Sequence, residues 1–99
     1  MAAASRKGDM SAGHGCFPPT ACTDAIASKT FINGILAQKQ GSKFASHRCG
    51  KTTHPTSGRN TTSGSSKVYI EGSPAIRIGD SIACGDTVAQ GSTNVQIGG

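Results

Sequence analysis

Residues 28–47 can be laid over residues 66–85 at a constant offset of 38 without a gap. Ser28/Ser66, Lys29/Lys67, Ile32/Ile70, Gly34/Gly72, Ala37/Ala75, Gly41/Gly79 and Ala45/Ala83 are identical, and Phe31/Tyr69, Lys39/Arg77 and Phe44/Ile82 are similar in kind. A truncated third copy closes the chain, where Gly91-Ser92-Thr93-Asn94-Val95-Gln96-Ile97-Gly98-Gly99 repeats Gly64-Ser65-Ser66-Lys67-Val68-Tyr69-Ile70-Glu71-Gly72. Periodicity of this kind means one supersecondary unit used several times, and it limits the architecture before any single residue does.

The unit itself reads as a β-hairpin. Residues 29–33 run into Gly34 and residues 66–71 run into Gly72-Ser73-Pro74, each a short alternating strand entering a tight turn. Return strands follow over 35–40 and 75–78, ending at Gly41 and Gly79, and Ala75-Ile76-Arg77-Ile78 alternates apolar and polar as a half-buried strand does. No long amphipathic pattern is present, so the fold class is mainly β. Residues 18–28 have room for one helical turn after Pro18-Pro19. Residues 52–66, rich in Thr, Ser and Gly with Arg59 as the single arginine, read as a surface loop.

Apolar burial alone is a weak source of stability here. Leu, Ile, Val and Phe together make 15 of 99 residues, below the ~20% at which disorder becomes a live alternative. One domain over residues 1–99, with residues 1–5 as a flexible lead, is the expectation, and small domains of this kind commonly add disulfides, a metal or a partner. The four cysteines allow two disulfides in three connectivities, but the start Met-Ala-Ala-Ala-Ser-Arg-Lys has no apolar signal segment. Synthesis in a reducing cytosol follows as the expectation, and thiols near histidines there bind metal more often than they pair. No apolar run approaches the ~18 residues of a membrane span, so a soluble chain is expected.

Soft ligands recur at the ends of the repeats. Gly8-Asp9 precedes His14, Gly41-Ser42 precedes His47, and Gly79-Asp80 precedes Cys84, at nearly the same distance each time. His54 is the remaining histidine, and three imidazoles with one thiolate complete a tetrahedral zinc set. Glycines flank His14 in Gly13-His14-Gly15, Pro55 stiffens His54, and Gly85 follows Cys84. His47-Arg48-Cys49 offers two donors, of which His47 keeps the spacing after the turn and is preferred. Cys16 and Cys22 read as small buried residues or free thiols. A mixed imidazole and thiolate set favours zinc over copper or iron.

Four ligands close a site, so the metal is read as structural and no enzyme is expected. Hydrolytic zinc keeps a position open for water and has a carboxylate placed to move protons. Glu71 lies at a hairpin tip, while Asp9 and Asp80 lie in Gly-Asp turns, where carboxylates accept backbone hydrogen bonds. No nucleophile elbow, phosphate loop or dinucleotide fingerprint occurs. The net charge of +5 raises a zinc-dependent nucleic-acid-binding module as the alternative, but the charges are scattered and only Arg6-Lys7 is adjacent.

Gly72-Ser73-Pro74-Ala75-Ile76-Arg77-Ile78-Gly79-Asp80, with Gly64-Ser65 before it and Cys84-Gly85 after it, resembles the proline-alanine-alanine-arginine repeat of the PAAR proteins. Gly13-His14-Gly15-Cys16-Phe17-Pro18-Pro19 is similar to the opening of the phage-type members, and the resemblance spans residues 6–99. The first repeat departs from it, with Leu36-Ala37-Gln38-Lys39 and Gly41-Ser42 in place of the family core and Gly-Asp. The resemblance implies a small cone of β-hairpins with pseudo-threefold repeats and one structural Zn²⁺ near the apex, held by His14, His47, His54 and Cys84. It also implies a base that caps a trimeric β-helical spike, in a contractile phage tail or a type VI secretion system, with the cone as the membrane-piercing tip. The expected setting is synthesis in the cytoplasm and assembly at the spike tip. Ile32, Val68, Ile70, Val95 and Ile97 are candidates for core or base. With the repeat running to Gly99, no effector is expected on this polypeptide, and separate cargo stays compatible.

Overall fold

Three copies of one short segment, Ala4 to Asp9, Ala37 to Ser42 and Ala75 to Asp80, share the pattern Ala-x-(Arg/Lys)-x-Gly-(Asp/Ser) and meet at the centre of the protein. The structure is a computed structural model that describes residues 2–98. Each segment pairs antiparallel with the next, through the bridges Arg6↔Ala37, Lys39↔Ala75 and Arg77↔Ala4. The pairing closes on itself. Ser5 N–H donates to the Ile76 carbonyl (3.0 Å), Ile76 N–H to Gln38 (3.2 Å) and Gln38 N–H to Ser5 (3.0 Å), a ring of three backbone hydrogen bonds. Two of the segments belong to the repeat visible in sequence; the third, at 4–9, extends it to the N-terminus.

The elements are β1 (Ala2–Ala3), β2 (Cys22–Ile32), β3 (Ile35–Phe44), β4 (His47–Cys49), β5 (Thr52–His54), a 3-10 turn (Thr56–Gly58), β6 (Tyr69–Ile70), β7 (Ser73–Pro74) and β8 (Gln96–Ile97). They form four antiparallel pairs, β1 with β8, β2 with β3, β4 with β5, and β6 with β7. The long axis measures 38 Å and both transverse axes 23 Å, as expected for repeats arranged about an axis.

On one side of the ring the chain turns at Gly8, Gly41 and Gly79, all at left-handed φ (90°, 100° and 95°), which glycine adopts without a Cβ penalty. Each turn is then gripped in the same way. Gly8 N–H donates to Cys22, Gly41 to Thr61 and Gly79 to Val88, while Cys22, Thr61 and Val88 donate back to the carbonyls of Asp9, Ser42 and Asp80. Asp9 and Asp80 accept the N–H of Arg6 and Arg77 and form paired contacts with their guanidinium groups. The middle repeat, with Lys39 and Ser42, cannot make this clasp. There Ser42 donates to Gln38, and Gln38 donates to Ser5, so a fully buried polar network replaces the ion pair.

On the other side lies the base. Ala4, Ala37 and Ala75 pack with Ala27, Ile70 and Ile97 in one apolar cluster, with Ile32 and Val95 against it, while Val68 is exposed. A second cluster of Cys22, Ala25, Phe44, Ile76, Ile82 and Val88 fills the opposite side. The truncated third copy is a true structural repeat. Ser65 N–H donates to Ala75 and Ser92 N–H to Ala4, and each hydroxyl accepts the N–H groups two and three residues on.

Several expectations are corrected. Ala2 and Ala3 pair with Ile97 and Gln96, and Ala4 and Ser5 have no solvent exposure, so residues 2–5 are a strand and core in place of a flexible lead; Met1 lies outside the described residues. Residues 18–28 hold no helical turn, since β2 begins at Cys22 and the 3-10 turn is at Thr56–Gly58. Residues 52–66 are more than a surface loop: they contain β5 and the buried side chains of Arg59, Thr61 and Ser65. Thr, Ser and Gly serve there because the interior is polar and narrow. Among the described residues no helix is long and apolar enough to cross a membrane.

The tightness of the repeat gives a direct test. A Cβ at Gly64 would lie 2.8 Å from the Ala75 carbonyl oxygen and from Pro74 Cβ, whereas one at Gly58 would meet only Pro55 Cγ at 4.0 Å. Gly64→Ala is expected to lose about 1–3 kcal/mol, a fall of at least about 5 °C in Tm, and Gly58→Ala to stay within about 0.5 kcal/mol, as read by thermal melting.

Candidate metal centre

Above the gripped turns the chain leaves the ladder three times and returns. Ser11 N–H donates to Thr20, Phe44 to Arg59 and Ile82 to Asp86, closing three loops of unequal length over residues 12–19, 45–58 and 83–85. Every potential ligand is on one of them, at the end of the molecule away from the base. His14 comes from the first loop, His47 and His54 from the second, and Cys84 from the third.

Local sequence explains each placement. Reciprocal hydrogen bonds between His14 and Phe17 (3.1 and 2.9 Å) form a tight turn over Gly15-Cys16. Gly13 precedes it at φ 77°, where a Cβ would lie 2.7 Å from the Phe17 carbonyl oxygen, so the close backbone approach requires glycine. In the second loop β4 and β5 pair in register, with His47 opposite His54, which puts both imidazoles on one face. Cys84 lies in the turn that Gly85, at φ 98°, closes back to Ile82.

The side chains converge. One donor atom each from His14, His47, His54 and Cys84 lies within 4.8 Å of the others, an arrangement that could hold a metal ion. His47 Nε2 is 2.9 Å from His54 Nδ1, and Cys84 Sγ is 3.8 Å from His47 Nε2 and 3.9 Å from His14 Nε2. Edges of a tetrahedron of imidazole and thiolate donors around zinc are about 3.3–3.6 Å, so small side-chain movements reach it. His47 is buried and the other three are half-buried.

Two features prepare the donors. The His47 Nδ1 lies 3.0 Å from the Pro18 carbonyl, which as an acceptor fixes the proton there and leaves the Nε2 lone pair for a metal. Burial pushes the His47 pKa below its usual value, and the Arg59 and His14 charges push the same way against the Pro18 carbonyl, which favours the neutral ring. Phe17 stacks on His54 (ring centroids 4.0 Å, 12° apart) and on His14 (4.9 Å, 22°), packing the imidazoles from one side.

Reading the sequence missed three participants. Arg59 and Asp86 form an ion pair at 3.0 Å with neither side chain exposed, directly beneath the ligands. Burial raises the Asp86 pKa, but hydrogen bonds from Ser11, Thr87 and Arg59 outweigh it and hold the carboxyl below its usual range. The only signal for Arg59 was its isolation among small residues, and Phe17 had no signal beyond its place beside His14. The expectation that Cys16 is a free or merely buried thiol is corrected as well, since Cys16 and Cys49 form a disulfide with Cα atoms 5.4 Å apart. Cys49, the second donor considered beside His47, is thereby outside the cluster. Cys22 is a buried free thiol, with its pKa pushed up to about 12 by burial.

The PAAR-motif family model matches residues 2–90 of this chain. The chain belongs to the PAAR-motif family. Membership suggests a structural role at a spike tip. A search of curated proteins returns no match. Within the PAAR framework, the match takes in all three gripped turns and all four converging side chains.

The disulfide ties the turn that carries His14 to the strand that carries His47 across 33 residues. Closing a loop of that size contributes about 4 kcal/mol by restricting the unfolded chain. Reduction, or Cys16→Ser with Cys49→Ser, is therefore expected to lower unfolding free energy by up to that amount in urea titrations with and without reductant, and no difference would contradict the bridge.

Proposed function

We propose that this protein is a zinc-stabilised tip that caps a trimeric β-helical spike and sharpens it for membrane penetration, in a contractile phage tail or a type VI secretion system. The observation that carries the reading is the convergence of His14, His47, His54 and Cys84 from three loops of a PAAR-motif chain. In this reading Zn²⁺ is bound by His14 Nε2, His47 Nε2, His54 Nδ1 and Cys84 Sγ. Three imidazoles and one thiolate suit zinc, and four protein donors leave no position for a reacting water.

A metal is what this end of the molecule lacks otherwise. The loops over 12–19, 45–58 and 83–85 contribute few buried apolar groups, because a narrow apex has little interior volume. An ion bonded to all three crosslinks them, contributing on the order of 10 kcal/mol in small zinc modules. A closed, narrow apex also resists deformation under axial load, which membrane penetration demands.

The base supplies the other half of the proposal. Phe31 and Tyr69, equivalent across the 38-residue repeat, are 59% and 60% exposed at the hairpin ends remote from the metal cluster. Ile35 and Val68 are exposed beside them. A face built from repeats about an axis can meet a threefold partner through near-equivalent contacts. In this reading the protein is made in the cytoplasm, joins the spike tip and crosses a target envelope with it, alone or with separate cargo.

Two measurements test the proposal. Elemental analysis of protein purified without added metal is expected to give one zinc per chain, and His14→Ala with Cys84→Ala to lose it and lower Tm by more than roughly 10 °C. Unchanged metal content and melting would refute the ligand assignment. On purified trimeric spike, Phe31→Glu with Tyr69→Glu is expected to abolish binding at unchanged Tm; full binding by that variant would remove the base from the interface.

A further inference from the structure

Arg59 is the largest side chain with no solvent exposure among the described residues, and it lies immediately beneath the metal ligands. A guanidinium has five N–H hydrogens in a fixed plane, and each needs an acceptor when buried. Four are accounted for around its stem. Nε donates to the Ala45 carbonyl (2.9 Å), Nη2 to Thr20 Oγ1 (2.6 Å) and Ser11 Oγ (3.1 Å), and Nη1 to Asp86 Oδ2 (3.0 Å). These partners come from all three loops' bases, so the guanidinium is fixed in place before any metal is considered.

The fifth hydrogen, the second on Nη1, faces the cluster. Nη1 lies 3.2 Å from Cys84 Sγ, 2.7 Å from His47 Nε2 and 3.0 Å from His47 Nδ1. The His47 Nε2 has one lone pair, and a metal that takes it leaves nothing for Arg59. Pro18 occupies Nδ1. A thiolate sulfur keeps free lone pairs after binding a metal, so the contact to Cys84 is the one compatible with an occupied centre.

We propose that Arg59 is the positioning residue of Cys84, donating an N–H···S hydrogen bond that holds the sulfur in the centre and lowers its donor strength and nucleophilicity. The inference rests on the metal-centre reading above. Its chemistry is that of a charge-assisted bond to an anion, which is stronger than a neutral one and shifts electron density away from the ligated sulfur. Cys84 needs such support more than the histidines do, because its loop is only residues 83–85. Asp86, two residues on, balances the added positive charge.

The test uses the intact chain. Loaded with ¹¹³Cd²⁺, the wild-type protein is expected to show scalar coupling between cadmium and one Arg59 Nη1 proton, transmitted through the Cys84 sulfur. A second arm loads Co²⁺ into Arg59→Met/Asp86→Leu, which removes both buried charges together and leaves neither unpaired. There the thiolate-to-cobalt charge-transfer band is expected to move to lower energy, and iodoacetamide to alkylate Cys84 roughly tenfold faster or more, the size of losing one charge-assisted hydrogen bond. A merely structural ion pair would move neither reading. A loaded centre with no coupling and an unmoved band overturns this inference alone, and if the double variant does not fold, the wild-type coupling decides. Failure of the wild-type chain to take up either ion overturns the metal-centre reading, and this inference with it.

Discussion

The pairing of three strand segments in a cycle, Ser5 to Ile76, Ile76 to Gln38 and Gln38 to Ser5, sets the geometry of everything above and below it. A two-stranded hairpin is marginal in water, and an open sheet exposes edges that recruit other strands. Closure of three segments on themselves removes both problems at the centre. Where the three segments meet on the base side the close approach leaves room for small side chains, and Ala4, Ala37 and Ala75 fill it with no solvent exposure. The polar side chains inside are paired, since Ser5, Gln38, Ser42 and Thr61 hydrogen-bond one another, and Ser5 and Gln38 also donate to the Gln90 and Arg6 carbonyls.

From that ring the same chain direction, taken three times, produces two ends of different chemistry. Towards the base the repeats give short hairpins whose inward residues Ile70 and Ile97 are buried and whose outward residues Phe31 and Tyr69 are exposed. Towards the apex they give loops of unequal length, and the threefold character breaks down. At the equivalent positions Thr20, Arg59 and Asp86, three different side chains fill one layer: an ion pair and a hydroxyl, all joined by the Arg59 guanidinium. Threefold symmetry cannot be satisfied by four ligands, and the long second loop resolves the mismatch by supplying both His47 and His54 from one hairpin.

The apex has one covalent crosslink and one set of converging donors that could supply a second. The Cys16–Cys49 bridge joins the first and second loops, while the ligand set joins all three. They involve different parts of the same loops, and only the donor set reaches Cys84.

Much of this was readable from residue order. The offset of 38, the recurring Gly turns and the nearly equal distance from each turn to a soft ligand disclose a mainly β repeat, a set of four donors and a resemblance to the PAAR-motif family, because period and turn chemistry are local properties. The repeat at Ala4 to Asp9 is harder to see because its spacing from Ala37 is 33 in place of 38, and its strand partners, at Ala37 and Arg77, are distant along the chain. In sequence Arg59 reads as a loop residue, and Cys16 as a small buried residue or a free thiol, for a related reason. Whether a charged side chain is buried, or a thiol paired, depends on which groups from residues 11, 20, 45, 49 and 86 surround it, and only the closed three-way fold brings those groups together.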